Sequence, residues 1–356
     1  MTVPIAVAGY ASLLLVAVTL LVLAAMGLGH RRRLRREQHE VRRRAELTPL
    51  VHTLLDDEDE RPAPEVTAAP ALFDELVLDL LPSLRGSDRD ALQRVLATRG
   101  VLDRAARDLG SRAAWRRGRA ATLLGSAAGT QHTAALVRLL ADPDADVRSA
   151  ATRALGKTGD VAAAEPLLAG LTAAPGLPRG IVGMALLDLG TPALPALRDA
   201  LTTGAPTAQA LAAELLGMHG DLAATPALLA TLADRSSTAP SCIAAAGALG
   251  RIGLPTATGA LTGTLTTAQL PAVRRAAADA LGRIGDPEAV VALTAGLADA
   301  SPDVRAACAD ALAAIGDEGR GRLRVLSIAA GPAGTAARAA LDVLALAPRR
   351  TREVLG

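Results

Sequence analysis

The sequence predicts an all-α chain: a single N-terminal transmembrane helix followed by an α-solenoid of short helical hairpins. Three observations carry that expectation. Ile5 to Gly29 is an uninterrupted run of 25 uncharged residues. A glycine-terminated motif returns at Gly159, Gly190, Gly220, Gly253, Gly285 and Gly316, with spacings of 31, 30, 33, 32 and 31 residues. Half of the chain is apolar, yet Tyr10, Phe73 and Trp115 are its only aromatics. A Leu-, Ala- and Val-rich chain so poor in aromatics suits closely packed helices, not a sandwich or barrel.

The N-terminal run is long enough to span, since a membrane helix needs about 20 apolar residues. A cleaved signal peptide would start with basic residues and carry a shorter apolar core. This N-terminus has no Lys or Arg and exits directly into His30-Arg31-Arg32-Arg33-Leu34-Arg35-Arg36. Positive flanks stay cytoplasmic. Arg31, Arg32, Arg33, Arg35 and Arg36 therefore predict a single-pass protein of the inner cell membrane, N-terminus outside and solenoid inside. The same arginines have a second reading as a headgroup-binding cluster. The expected organisation is a transmembrane anchor at 1–29, a basic juxtamembrane helix at 30–55 and a linker at 56–70. That linker opens with five consecutive acids, Asp56 to Glu60, and ends in a proline-rich stretch that cannot hold a helix. A helical cap or degenerate repeats at 71–118, repeats at 119–348 and a basic tail at 349–356 complete the chain.

Charge and cysteine usage narrow the function classes. A net charge of +2 argues against a wholesale nucleic-acid binder. All basic residues except Lys157 are arginine, as the codon bias of a GC-rich, bacterial genome would give. Cys242 and Cys308 fall about two repeats apart, beyond the ~7 Å Cα separation a disulfide tolerates, and both sit among alanines as small core residues. Residues 160–272 carry only 11 charged side chains, a surface more compatible with a protein interface than a densely charged one.

Within each repeat the apolar residues recur with helical period. Val273, Ala277, Ala280, Leu281 and Ile284 form one stripe, and Val147, Ala151, Ala154 and Leu155 form its counterpart. Asp142-Pro143-Asp144 and Ser301-Pro302-Asp303 join a first helix to a second, with Pro and Asp suited to a helix start. The trailing Gly is suited to a left-handed stop. One hairpin cannot bury its stripe alone, whereas a stack of seven or eight can.

The pattern Asp-x-x-x-Asp-Val-Arg-x-Ala-Ala-x-x-Ala-Leu-Gly-x-x-Gly-Asp, complete from Asp142 to Asp160, resembles the HEAT repeat of the short, phycobilisome-lyase-like type. From Asp299 to Asp317 it recurs nearly in full, with Ala313 in place of the first Gly. The resemblance covers roughly 115–347. Units at 175–190 and 205–220 depart from it, lacking the Val-Arg pair and rich in Pro and Thr. It implies that Arg148, Arg274 and Arg305 form an inter-repeat ladder with acids such as Asp146 and Asp303. Arg112, Trp115, Arg116, Arg117 and Arg119 combine an aromatic with four cations. They suit phosphate or nucleic-acid contacts, or else Trp115 anchors the first packed helix while the arginines face water.

No catalytic, cofactor-binding or metal-ligating constellation is expected. HEAT-like repeats also build a di-iron hydroxylase with His-Glu ligand pairs, but the only such pair here is His39-Glu40, outside the repeats. His132 and His219 lack carboxylates or thiols at metal spacing. The leading expectation is a membrane-tethered cytoplasmic adaptor or scaffold, without enzyme activity, that binds a protein partner, a membrane-embedded one included. The alternatives are an anionic-ligand reader (lipid headgroup or nucleic acid) using the Arg-rich block, and a lyase-type enzyme or chaperone subunit.

Overall fold

The computed structural model describes residue 49 and residues 70–84, 86–127 and 129–346. The predicted membrane helix, the arginines Arg31 to Arg36, the rest of the juxtamembrane segment, the acidic linker up to residue 69 and the basic tail lie outside the described residues. Among the described residues there are eighteen α-helices and no strand. No single one of these helices is long and apolar enough to cross a membrane. The chain divides into two compact units, Met1–Arg104 and Ala105–Gly356.

In the first unit, α1 (Pro70–Leu80) and α2 (Ser87–Thr98) bury Phe73, Val77, Leu81, Leu92 and Leu96. Arg99 ties them together: its Nε donates to Asp74 Oδ1 at 2.6 Å and its guanidinium lies 5.1 Å from the centre of the Phe73 ring. Helix α3 (Val101–Asp108) runs across the boundary between the units.

The second unit is a solenoid of hairpins. Its first second-layer helix is α4 (Ala114–Ala127). Pairs then follow: α5 (Thr133–Arg138) with α6 (Ala145–Thr158), α7 (Ala164–Ala169) with α8 (Arg179–Leu189), and α9 (Leu194–Thr203) with α10 (Pro206–His219). Next come α11 (Thr225–Ala233) with α12 (Ala239–Ile252) and α13 (Thr258–Thr267) with α14 (Pro271–Ile284). The last are α15 (Val290–Gly296) with α16 (Pro302–Ala314) and α17 (Asp317–Ser327) with α18 (Pro332–Leu346). Each second helix packs on the second helix of the next hairpin, and the apolar stripe lies between the two layers. Val273, Ala277, Ala280 and Leu281 are buried as their spacing requires, and only Ile284, at the helix end, is half-exposed.

The recurring Gly-Asp dipeptide has two separate jobs. Gly159, Gly220, Gly253 and Gly285 end their helices in the left-handed conformation, where a side chain would be strained. The aspartate that follows caps the next first helix: Asp160, Asp221 and Asp286 accept from the backbone N–H of Ala162, Ala223 and Glu288. Asp144 caps α6 by accepting from the N–H groups of Asp146 and Val147.

Candidate functional site

Two columns of residues set the geometry of the second-helix layer. The first is made of glycines: Gly125, Gly156, Gly217, Gly250 and Gly282 each sit against an alanine of the next second helix, namely Ala154, Ala185, Ala248, Ala280 and Ala311. A Cβ added at Gly250 would lie 2.7 Å from Ala280 Cα, and one at Gly282 would lie 2.8 Å from Ala311 Cα. The glycines therefore fix how closely successive hairpins stack. At the junction of α8 and α10 the equivalent pair is Leu187 and Leu215, and there the two helices approach each other far less closely along their length. Leucine on both sides takes the place of the glycine–alanine contact made by the five column glycines. A cleft of about 350 Å³ opens beside this junction in the first-helix layer, bounded by Leu168, Thr172, Asp199, Thr203 and Ala208.

The second column is made of arginines. Arg117, Arg148, Arg274 and Arg305 each use Nη1 to bridge two backbone carbonyls of the turn that precedes their own helix. For Arg274 these are Ala268 O and Gln269 O, both at 2.9 Å, and for Arg148 they are Asp142 O at 2.7 Å and Pro143 O at 3.1 Å. Arg117 and Arg305 make the same pair of contacts, to Ser111 and Arg112 and to Asp299 and Ala300. Where an aspartate stands 25 residues on, the fork also closes on the next repeat. Arg117 Nε and Nη2 donate to Asp142 at 2.7 Å each, and Arg274 donates to Asp299 at 2.7 and 2.8 Å. The Arg117 guanidinium, helped by the Asp144 N–H, holds the Asp142 carboxyl below the usual carboxylate range. Arg274 and the Ser301 N–H do the same for Asp299. Arg148 has Ala173 at the matching position, and its buried Nε is left without a partner.

Within this column inter-repeat ion pairs thus occur at two junctions, Arg117–Asp142 and Arg274–Asp299, whereas Arg148 and Arg305 hold only the turn before their own helix. Asp142 and Asp299 carry the ion pairs, whereas Asp146 and Asp303 are exposed. Arg117, grouped with the interaction candidates, belongs to the ladder. Its side chain is 14% exposed and bound on both sides, so it does not face water.

The rest of that group stays outside. Trp115 does not anchor the first packed helix: it is 65% exposed on the outer face of α4, with the Arg116 guanidinium stacked 5.3 Å from its ring centroid. Helix α4 buries Ala120, Ala121 and Leu124 instead, on the side opposite Trp115. Arg112, Arg116 and Arg119 are exposed, as are Arg153 and Lys157 on the neighbouring α6.

Further along the second-helix layer lies a groove of about 340 Å³ between α12, α14 and α16. Ile243, Pro271, Ala272 and Ala276 give it an apolar floor, and Arg275, Asp279 and Asp303 a charged rim. Arg275 and Asp279 pair at 3.8 Å. Nearby, burial and then the charge of Asp279 push the Asp310 carboxyl above its usual range. Among the described residues no group of three or more His, Cys, Asp or Glu is placed to hold a metal ion. Cys308 is buried, and burial pushes its thiol up to about 12, while Cys242 is half-buried.

The sequence profile of HEAT repeats matches residues 106–186, 242–313 and 264–345. The chain belongs to the HEAT-repeat family. No curated protein matches it in sequence. Among solved structures, human deoxyhypusine hydroxylase in complex with glycerol is 20% identical, with 76% of this chain and 96% of that chain covered and a TM-score of 0.31. The complex of CpcE and CpcF of phycocyanin lyase from Nostoc sp. PCC7120 is also 20% identical, covering 81% and 99%, with a TM-score of 0.28. Kap95p bound to RanGDP is 14% identical with a TM-score of 0.45. The match covers 78% of this chain, which spans 43% of that one. At these identities the likeness concerns fold. The HEAT array itself explains which arginines brace the repeats, and it leaves the Trp115 face and the groove as the surfaces it does not use.

Proposed function

We propose that this HEAT-repeat protein is a scaffold that binds a protein partner along its second-helix layer and acts by binding, without a catalytic step of its own. The observation that carries the reading is the groove between α12, α14 and α16. An apolar floor that admits one inserted side chain, ringed by Arg275, Asp279 and Asp303, has the anatomy of a protein-interface pocket with its polar rim. The anchor expected at 1–29 makes it a membrane-tethered scaffold of the inner cell membrane, with its solenoid in the cytoplasm and a partner in or near the bilayer.

A photo-crosslinking residue placed at Ile243 or Ala276 in intact cells is expected to capture one specific protein. The same residue at Val325, 63% exposed on the first-helix layer, serves as the control. Equal capture at both places, or none at the groove, would sink the reading. Deleting residues 1–30 is expected to move the chain out of the membrane fraction. An active alkaline phosphatase fused to the C-terminus would reverse the topology.

A further inference from the structure

The exposed face formed by α4, the turn leading into it and α6 carries five cations that the HEAT architecture leaves free. Arg112, Arg116, Arg119, Arg153 and Lys157 are all exposed, and none of them is within ion-pair distance of an acid among the described residues. Asp146 is the only acidic side chain on either helix besides them. Arg117, next to Arg116 in sequence, is fully committed to Asp142 and two carbonyls, so the cluster is not a general excess of arginine. At one end of this face stands Trp115, the only tryptophan in the chain, 65% exposed.

Helical geometry puts these groups on one face. Trp115 and Arg119 are four residues apart on α4, and Arg153 and Lys157 four apart on α6, so each pair lies one above the other. Arg116 reaches across to stack on the indole. The contacts of Gly118 with Val147 and of Gly125 with Ala154 hold the two helices parallel, so Arg153 and Lys157 continue the face about two turns beyond Trp115 and Arg119, and Asp146 lies level with Trp115.

We infer that this face docks on an anionic lipid surface. An indole 65% exposed, beside arginines without an acid partner among the described residues, matches the headgroup level of a bilayer, where Trp is enriched and basic residues meet anionic lipid. A helix face this exposed suits a surface better than the edge of a single base or an inserted peptide side chain. The contact would fix the angle at which the scaffold lies on the membrane, turning the groove of α12, α14 and α16 toward a set direction. It does not depend on the identity of any protein partner.

Trp115 is its own reporter. The full-length protein is reconstituted in vesicles of phosphatidylcholine alone and of phosphatidylcholine mixed with phosphatidylglycerol. In the anionic vesicles, Trp115 emission is expected to shift to the blue and to be quenched by brominated acyl chains. Both effects should be absent in the zwitterionic vesicles and reversed by high salt. Replacing Arg112, Arg119 and Arg153 by glutamine is expected to lower the docked-to-undocked ratio roughly fivefold per charge, or on the order of a hundredfold together. R251Q/R283Q, on the same layer but outside the patch, is expected to leave it unchanged. Identical emission in the two kinds of vesicle overturns the inference, and so does quenching that survives the triple substitution or high salt. A blue shift produced in lipid-free detergent by polyglutamate or a single-stranded oligonucleotide also overturns it, assigning the patch to that class of anion.

Discussion

Gly250→Ala and Gly263→Ala make the same chemical change in two helices of one array, and the packing around them gives the changes opposite signs. Gly263 lies on the exposed side of α13 with nothing within 4 Å of the place a Cβ would take, so alanine there only restricts the unfolded chain and favours the helix. The expected gain is about 0.5–1 kcal/mol. Gly250 faces Ala280, where the new methyl would stand 2.7 Å from Cα and 2.9 Å from Cβ. Comfortable carbon–carbon contact begins at about 3.5 Å, so α12 and α14 must part by nearly 1 Å. Overpacking of this kind costs about 1–3 kcal/mol, against a propensity gain of about 1. The net is a loss of about 1 kcal/mol, concentrated at one inter-repeat junction. Urea unfolding of the full-length variants, followed by circular dichroism, should place the two midpoints on opposite sides of the wild type, on the order of 1 M apart. Gly282→Ala, with its methyl 2.8 Å from Ala311 Cα, should follow Gly250→Ala. A Gly250→Ala midpoint at or above the wild-type value would refute the claim that the glycine column sets the stacking distance.

Three further outcomes follow from the same repeat logic. Thr258 Oγ1 donates to Asp286 at 2.7 Å across one repeat junction, but the equivalent hydroxyl of Thr225 is buried without a partner because Leu254 replaces the aspartate. Leu254→Asp is expected to raise the unfolding midpoint by the worth of one hydrogen bond, about 1 kcal/mol, and a lowered midpoint would show the two junctions not to be equivalent. The carboxyls of Asp142 and Asp299 are held below their unfolded value, so their stabilisation is complete above the unfolded pKa of about 3.9 and is lost as pH falls through the folded values. Asp142→Asn and Asp299→Asn should therefore be less stable than wild type at neutral pH and converge on it in acid; a constant difference across that range would deny the ladder its charge. Burial pushes Cys308 up to about 12, so its contribution is complete below the unfolded thiol value and lost only as pH rises through about 12. At pH 8 a thiol reagent should leave Cys308 unlabelled until urea is added, and rapid labelling of the native protein would contradict its burial.

The fold was legible because its signals are short-range and repeated. Six hairpins announce their own end with a glycine and four of them their neighbour's start with an aspartate, so repeated copies of one local instruction outweigh the ambiguity of any single helix. The α8 and α10 hairpins, where that text weakens, are where the structure also departs. The Leu187–Leu215 pair is the physical form of the divergence, a widening of the stack that periodicity alone does not express. The acids of the ladder were harder to place, because the sequence shows that arginine and aspartate alternate but not which aspartate a fork can reach. Asp146 and Asp303 are nearer in sequence to Arg148 and Arg305. Arg148 and Arg305 instead reach back to the backbone carbonyls of Asp142 and Asp299, whose carboxylates are held by Arg117 and Arg274 from the repeat before.

The same register separates bracing arginines from free ones in a stretch where composition cannot. Among Arg112, Arg116, Arg117 and Arg119, only Arg117 stands, like Arg148 and Arg274, eight residues before a column glycine, the place Arg305 holds relative to Ala313. Its fork is consumed by Asp142 and by the carbonyls of Ser111 and Arg112. The others fall out of register, and a helix that repeats every 3.6 residues must then turn them away from the ladder. Trp115 is subject to the same rule: one step off the buried stripe, it cannot reach the core that a tryptophan would ordinarily seek. What sets this indole apart from the other exposed apolar side chains is its company: Arg116 stacks on it, and the cations of that face have no acid partner among the described residues.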